Sequence, residues 1–251
     1  MSAISRLSVV VPCYNESKNI PIIVNRFKEA AQAYGGQTAI EIILVDNGSR
    51  DDSAQVLQAE VQRAGSGLFR IVTVKDNKGY GFGILSGLRA ATGDVLAWTH
   101  ADMQTEPGDV FKALDVFLSE LSKGTSPQSL LVKGRRVGRK FGEWAFTLGM
   151  SVISSVILGK VLFDINAQPK LFHKNLFDQI KNPPDDFSLD LYFVYIAKTR
   201  GFAIRTVDVV FGKRLHGESK WAFSWKSKYR TILRTIRYIW ALRVQIATRG
   251  A

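Results

Sequence analysis

The chain has 251 residues, enough for one substantial α/β domain. An apolar share of 46% excludes wholesale disorder, and a single cysteine, Cys13, excludes an intrachain disulfide framework and any Cys/His metal spacing. The excess of 34 Lys and Arg over 22 Asp and Glu, a net charge of +12, calls for an anionic partner: nucleic acid, anionic lipid or a phosphorylated substrate.

Residues 1–7 lack the apolar core of a secretory signal and read as no signal peptide. The apolar run 7–11, ending at Pro12, predicts a buried strand, with Cys13 as a small buried residue at its end. Residues 19–34 follow with helical spacing of Ile20, Ile23, Val24 and Phe27, and Pro21 suits the first turn. Residues 40–45 predict a second strand. Residues 51–64 predict a helix capped by Asp51 or Asp52. A strand at 68–74, a glycine-studded helix at 79–91, a strand at 94–99 and a helix at 110–121 complete the first half.

This alternation predicts βαβ units and a mostly parallel sheet flanked by helices, whose strand ends share one edge. Ligands bind outside that edge in open α/β sheets. Four polar clusters fall there: residues 12–16, 46–52, 75–78 and 100–104.

The second half is less regular. A strand at 129–132 leads into a basic run, residues 133–140, read as a flexible phosphate-binding loop. The apolar stretch 144–163 is read as a helix on a membrane surface or in the core, with a membrane span the least favoured reading because serines, glycines and Lys160 interrupt it. A helix at 190–199, a strand at 203–210, a basic loop at 213–221 and a basic amphipathic helix at 225–247 follow.

The clusters limit the chemistry. Read as an extended segment, His100, Asp102 and Gln104 face one way and present a carboxylate and an amide to a hard divalent cation. A plain turn capping the next helix explains them equally well. Asp46 in Asp-Asn-Gly-Ser suits ribose or base hydroxyls, or an ordinary βα turn. The glycines at 79, 81, 83 and 87 match neither a dinucleotide fingerprint nor a P-loop. Strand-end carboxylates would repel a phosphate backbone, which argues against nucleic acid.

Together, residues 9–16 (VVVPCYNE), 45–51 (VDNGSRD), 77–81 (NKGYG), 91–94 (ATGD), 101–104 (ADMQ) and 216–220 (HGESK) resemble the family 2 glycosyltransferases. The nearest branch is the dolichyl-phosphate mannosyltransferase and polyprenyl-phosphate glycosyltransferase group. The resemblance implies the GT-A fold with a C-terminal amphipathic helix. It implies inverting, metal-dependent transfer of a hexose from a nucleotide-diphospho-sugar to a polyprenyl phosphate. It places Pro12, Tyr14, Glu16, Asp46, Asn77, Gly79, His100 and Asp102 around the nucleotide-sugar. Asp102 and Gln104 would hold Mg²⁺ or Mn²⁺. Asp102 and Asp164 would be catalytic, and Arg136, Arg214, Ser219 and Lys220 would meet the acceptor and its phosphate.

On the same basis residues 1–221 form the transferase domain, with a donor half at about 1–125 and an acceptor half at about 126–221. Residues 222–251 form a basic tail at the cytoplasmic face of a membrane, peripheral or monotopic. Four departures stand out: His100 replaces the first acidic residue of the D-x-D motif, Ala167-Gln-Pro-Lys170 replaces Ser-Gly-Phe-Arg, Leu148 stands where a second arginine is expected, and the paired C-terminal membrane helices of one bacterial branch have no counterpart. Alternative readings are a hydroxyl acceptor in polysaccharide or lipopolysaccharide synthesis, or an inactive sugar-nucleotide or lipid-binding module. Oligomeric state is open.

Overall fold

A computed structural model describes residues 4–65, 67–139, 141–212 and 225–249. Its strands are β1 (Arg6–Cys13), β2 (Ala39–Asn47), β3 (Phe69–Val74), β4 (Val95–Trp98), β5 (Leu130–Val137), β6 (Lys170–His173) and β7 (Ala203–Val210). Its helices are α1 (Ile20–Ala33), α2 (Ser53–Ala64), α3 (Tyr80–Ala90), α4 (Gly108–Ser122), α5 (Phe141–Leu158), α6 (Lys174–Asp178), α7 (Ser188–Thr199) and α8 (Trp225–Arg249). The strands form one sheet in the order β3-β2-β1-β4-β6-β5-β7.

β1 lies at the centre of the donor half, parallel to both β2 and β4. Its side chains alternate between two cores, as a strand buried on both faces requires. Leu7, Val9 and Val11 pack with Phe27 of α1 and Leu114 of α4. Val10 packs on the opposite side with Leu85 of α3, Trp98 of β4 and Phe193 of α7.

Among the described residues β6 alone runs against its neighbours, antiparallel to β4 and to β5, while β5 and β7 are parallel. The start of β6 therefore lies at the same edge as the ends of the other six strands. This brings the segment before Lys170 to the polar clusters.

Three expectations need correction. The basic run 133–140 is not wholly a loop: β5 continues through Val137, because β7 pairs with it as far as Val137↔Val210. Asp52 occupies the N-cap of α2 but makes no side-chain cap, whereas Asp51 Oδ1 accepts from Ser53 N at 3.0 Å. Residues 101–105 form bends rather than an extended segment, with Met103 at φ +57°, so alternation does not align His100, Asp102 and Gln104.

α8 docks rather than trailing free. Its Ile239 and Leu242 are buried in the core that contains Trp98, and it packs beside α5. No helix among the described residues is long and apolar enough to cross a membrane.

Candidate active site

On the donor side, the β1 and β2 loops are stitched together. Asn15 N donates to Ser49 Oγ at 3.2 Å, Glu16 N to Ser53 Oγ at 2.9 Å, and Arg50 N to Asn15 Oδ1 at 2.8 Å. Asn15 adopts φ +56°, a conformation asparagine tolerates. These bonds fix the end of β1 with Pro12, and the loop that carries Tyr14 and Glu16, against the end of β2. Asp46 is buried there, and its Oδ1 accepts from Ser49 N at 3.1 Å. Burial, together with the nearby Glu16 and Asp46 carboxylates, pushes the Cys13 thiol far up, so it is a packing residue and no nucleophile.

The β3–α3 loop closes on this pair. Asn77 Oδ1 accepts from Gly79 N at 3.0 Å, and Asn47 Nδ2 donates to Gly79 O at 2.9 Å. Gly79 has φ +131°, and a Cβ there would stand 2.4 Å from Asp185 O. Glycine is required by both conformation and space.

The turn after β4 holds Asp102 and Gln104. Asp102 is buried and its Oδ1 accepts from Gln104 N at 3.2 Å. Gln104 Nε2 donates to Gly212 O at 3.1 Å, and Gly212 N donates to Gln104 O at 2.8 Å. The D-x-D-like turn is thus clamped to the chain leaving β7. His100 stacks on Tyr80 (centroids 5.3 Å apart), and Tyr80 stacks on Phe187 (4.7 Å). Among the described residues no three His, Cys, Asp or Glu side chains converge on a metal position. Asp102 is the hard oxygen donor at the turn. One carboxylate plus substrate phosphates is a recognised way to bind Mg²⁺, so the residues fit a metal that arrives with a diphosphate.

The acceptor half is built from paired charges. Asp164 is fully buried at φ +43°. It accepts from Arg136 N at 2.7 Å, Arg136 Nε at 2.8 Å and Arg136 Nη2 at 2.5 Å, with Arg139 Nη2 3.8 Å away. Burial alone would raise its carboxyl pKa, but the hydrogen bonds and charge of Arg136 prevail and hold it below the usual range. Arg136 also lies over the Phe211 ring at 5.2 Å.

Beneath this pair lie groups whose pairing the sequence pattern did not reveal. Lys133 is buried and donates to Gly134 O (3.0 Å) and Asp164 O (2.9 Å). Burial, then the neighbouring Lys170, pushes its pKa down to about 7. Lys170 is fully buried and ion-paired with Asp190. Asp190 Oδ1 also accepts from Gln168 Nε2 at 2.9 Å and Trp98 Nε1 at 3.3 Å, and Gln168 Nε2 donates to Tyr80 Oη at 3.1 Å. Burial, then the Asp190 and Asp102 charges, raises Tyr80 well above the ordinary phenol range. Tyr80 therefore links the Asp102 turn to the acceptor floor. The signal was present in Lys170 following Gln168 and in Asp190 opening an apolar helix. A carboxylate and a lysine among apolar neighbours imply each other.

The edge thus gathers Pro12, Tyr14, Glu16, Asp46, Asn77, Gly79, His100, Asp102, Gln104, Arg136 and Asp164. Arg214, Ser219 and Lys220 lie outside the described residues.

A family model described as Glycosyl transferase family 2 matches residues 8–144. Curated relatives include the undecaprenyl-phosphate 4-deoxy-4-formamido-L-arabinose transferase of Sodalis glossinidius (strain morsitans), 28% identical over 87% of this chain and 64% of the relative. The enzyme of the same name from Pseudomonas paraeruginosa is 28% identical over 87% of this chain and 61% of the relative. The chain therefore spans a little over three fifths of these relatives' own length. Among solved structures, glucosyl-3-phosphoglycerate synthase from Mycobacterium tuberculosis has the same fold. Its complex with Mn²⁺, uridine diphosphate and glucosyl-3-phosphoglycerate gives a TM-score of 0.68 at 20% identity, covering 95% of this chain and 80% of that one. Its complex with Mg²⁺ and uridine diphosphate gives 0.68 at 20% identity, covering 95% and 79%.

Proposed function

This chain belongs to glycosyl transferase family 2, and from that premise we propose that it transfers a sugar from a nucleotide-diphospho-sugar to a polyprenyl phosphate, with inversion. One observation carries the choice of acceptor. Two acceptor-half carboxylates, Asp164 and Asp190, are buried beneath the site and ion-paired with Arg136 and Lys170. A hydroxyl acceptor needs a general base within reach, and a carboxylate held below its usual range by a guanidinium is a poor one. A lipid phosphate has a second pKa of about 6, so it arrives largely dianionic and needs cations to position it rather than a base. The curated relatives are named for undecaprenyl phosphate, which agrees.

In this reading Pro12, Tyr14, Glu16, Asp46, Asn77 and Gly79 bind the nucleoside portion of the donor. Asp102 and Gln104, with His100 beside them, would hold Mg²⁺ or Mn²⁺ together with the diphosphate. The cation would supply electrostatic stabilisation of the leaving nucleoside diphosphate. Asp164 orients Arg136 toward the acceptor phosphate, while Arg214, Ser219 and Lys220 close over the diphosphate. The phosphate oxygen attacks the anomeric carbon from the face opposite the departing diphosphate. The lipid acceptor places the enzyme at a membrane surface, on its cytoplasmic side where nucleotide-sugars are held.

Transfer is tested with labelled UDP- and GDP-sugars, pentoses included because the relatives are named for an L-arabinose derivative, and undecaprenyl phosphate in detergent. Label is expected in the lipid phase only with divalent metal and is lost in Asp102→Ala. Metal-dependent donor hydrolysis without lipid labelling would overturn the acceptor assignment.

A further inference from the structure

α5 is inverted relative to an ordinary surface helix. Its protein-facing side docks through Leu158 and Ile157 near its end but is otherwise small and polar: Ser151 and Ser154 are buried, and Thr147 Oγ1 accepts from Arg139 Nη1 at 2.8 Å. Ser154 and Ser155 satisfy their hydroxyls on the helix itself, donating to Met150 O (2.8 Å) and Ser151 O (2.6 Å). The outward side is apolar. Val152 is 52% exposed, Ile153 37% and Val156 76%, and the turn that follows exposes Val161 (78%) and Phe163 (43%). A helix in water buries its apolar stripe and shows its polar one. The reverse arrangement suits a helix whose outward neighbour is hydrocarbon.

The surroundings specify the occupant. Residues 144–163 contain no acidic residue, and Lys160 is exposed. α8, packed beside α5, carries seven Lys or Arg and no Asp or Glu. Arg243 Nη1 stands 3.6 Å from the Cβ position of Gly159, at the carbonyl end of α5, and α8 adds Trp240 (56% exposed) and Val244 (57%) to the apolar surface. An apolar face rimmed by cations matches the acyl and anionic headgroup layers of a bilayer leaflet.

We infer that the outward face of α5, extended by residues 161–163 and by Trp240 and Val244 of α8, enters an anionic lipid leaflet, while the inward face of the same helix anchors Arg139 beside Asp164 and Arg136. One helix then faces lipid on one side and the acceptor site on the other, so a lipid phosphate leaving the headgroup layer meets the arginines directly. The role of α8 changes accordingly. Ile239 and Leu242 fasten it to the domain, and it braces α5 rather than acting as a separate tail. This rests on the lipid-phosphate reading for its purpose but not for its test.

The test uses the full chain. Cys13 is buried, so a thiol-reactive, polarity-sensitive dye reports on introduced cysteines at Val152→Cys, Val156→Cys or, on the exposed face of α2, Gln58→Cys. With phosphatidylglycerol-containing vesicles the dye on α5 shifts to the blue and the dye on α2 does not. The V152Q/V156Q variant alters exposed positions only and keeps its melting temperature. Its vesicle partitioning falls by about tenfold per valine removed. Unchanged partitioning of that variant overturns the inference. So does a blue shift that rises with protein concentration in the absence of lipid, which would assign the face to a second copy of the chain. Wild-type transfer to a short-chain lipid phosphate in detergent is measured in parallel. Loss of that transfer with an intact dye shift refutes the acceptor reading alone, and intact transfer without a dye shift refutes the membrane face alone.

Discussion

Asp164→Asn isolates the charge that organises the acceptor half. The amide is nearly isosteric and asparagine tolerates the positive φ of this position, so backbone strain stays constant. The carboxylate is fully buried and accepts three hydrogen bonds from Arg136, two of them from the guanidinium. An amide can still accept through one oxygen, but its NH₂ would face a donor. Removing one member of a buried pair costs roughly 3–5 kcal/mol, and the retained acceptor puts this variant near the lower end, about 3 kcal/mol. Urea unfolding at pH 7 measures it. The double variant D164N/R136M removes both charges and recovers about 2 kcal/mol of that loss. A pH series adds a signed test. Asp164's folded pKa is depressed, so its contribution is present above the unfolded carboxyl value near 4 and disappears as pH falls through the folded value. D164N flattens that part of the acid limb. A loss below about 1 kcal/mol, or no recovery in the double variant, refutes the view that this pair holds the acceptor half together.

Three further predictions follow the same logic. Lys133 is lowered from 10.5 to about 7 by burial, so the unfolded chain binds more protons between those values and stability rises with pH across that window. Lys133→Met removes its share of this rise and leaves that of Lys170, which burial also lowers; thermal melts at pH 7 and pH 9.5 measure the reduction. Gly79→Ala forces a Cβ to within 2.4 Å of Asp185 O at φ +131° and is expected to cost about 2 kcal/mol or more in chemical denaturation, together with weaker donor binding. His100→Asp adds a carboxylate at the Asp102 turn and removes a ring from the Tyr80 stack. It lowers the Mg²⁺ concentration for half-maximal transfer by about tenfold, the factor that ~1.4 kcal/mol of added attraction supplies.

The donor half was legible because its strands are short apolar runs between helical periods, and each strand end releases polar residues at one edge. The acceptor half hid its logic in long-range pairs. Lys170 sits in a four-residue strand, and a lysine there reads as loop until Asp190, twenty residues on, is placed against it. Lys133 and Arg136 read as parts of one flexible phosphate-binding loop, with nothing in the pattern to show that either is turned inward. In the folded chain Lys133 is buried by carbonyl oxygens, and Arg136 is turned inward by Asp164. The stripe of α8 was visible as periodicity, but periodicity alone does not say whether it faces lipid or protein. The buried Ile239 and Leu242 answer for that face. The inversion of α5 was likewise hidden, since its serines and valines interleave and only the docked helix shows which set faces inward.

The most direct test of the acceptor assignment compares undecaprenyl phosphate with undecaprenol under one set of conditions, with metal and the cognate donor at pH 7. The charge arrangement around Arg136 and Asp164 predicts transfer to the phosphate, formation of a sugar phosphodiester with inverted anomeric configuration, and no turnover of the alcohol. Equal or preferential glycosylation of the alcohol would contradict it, because that reaction requires a general base that the paired carboxylates do not supply.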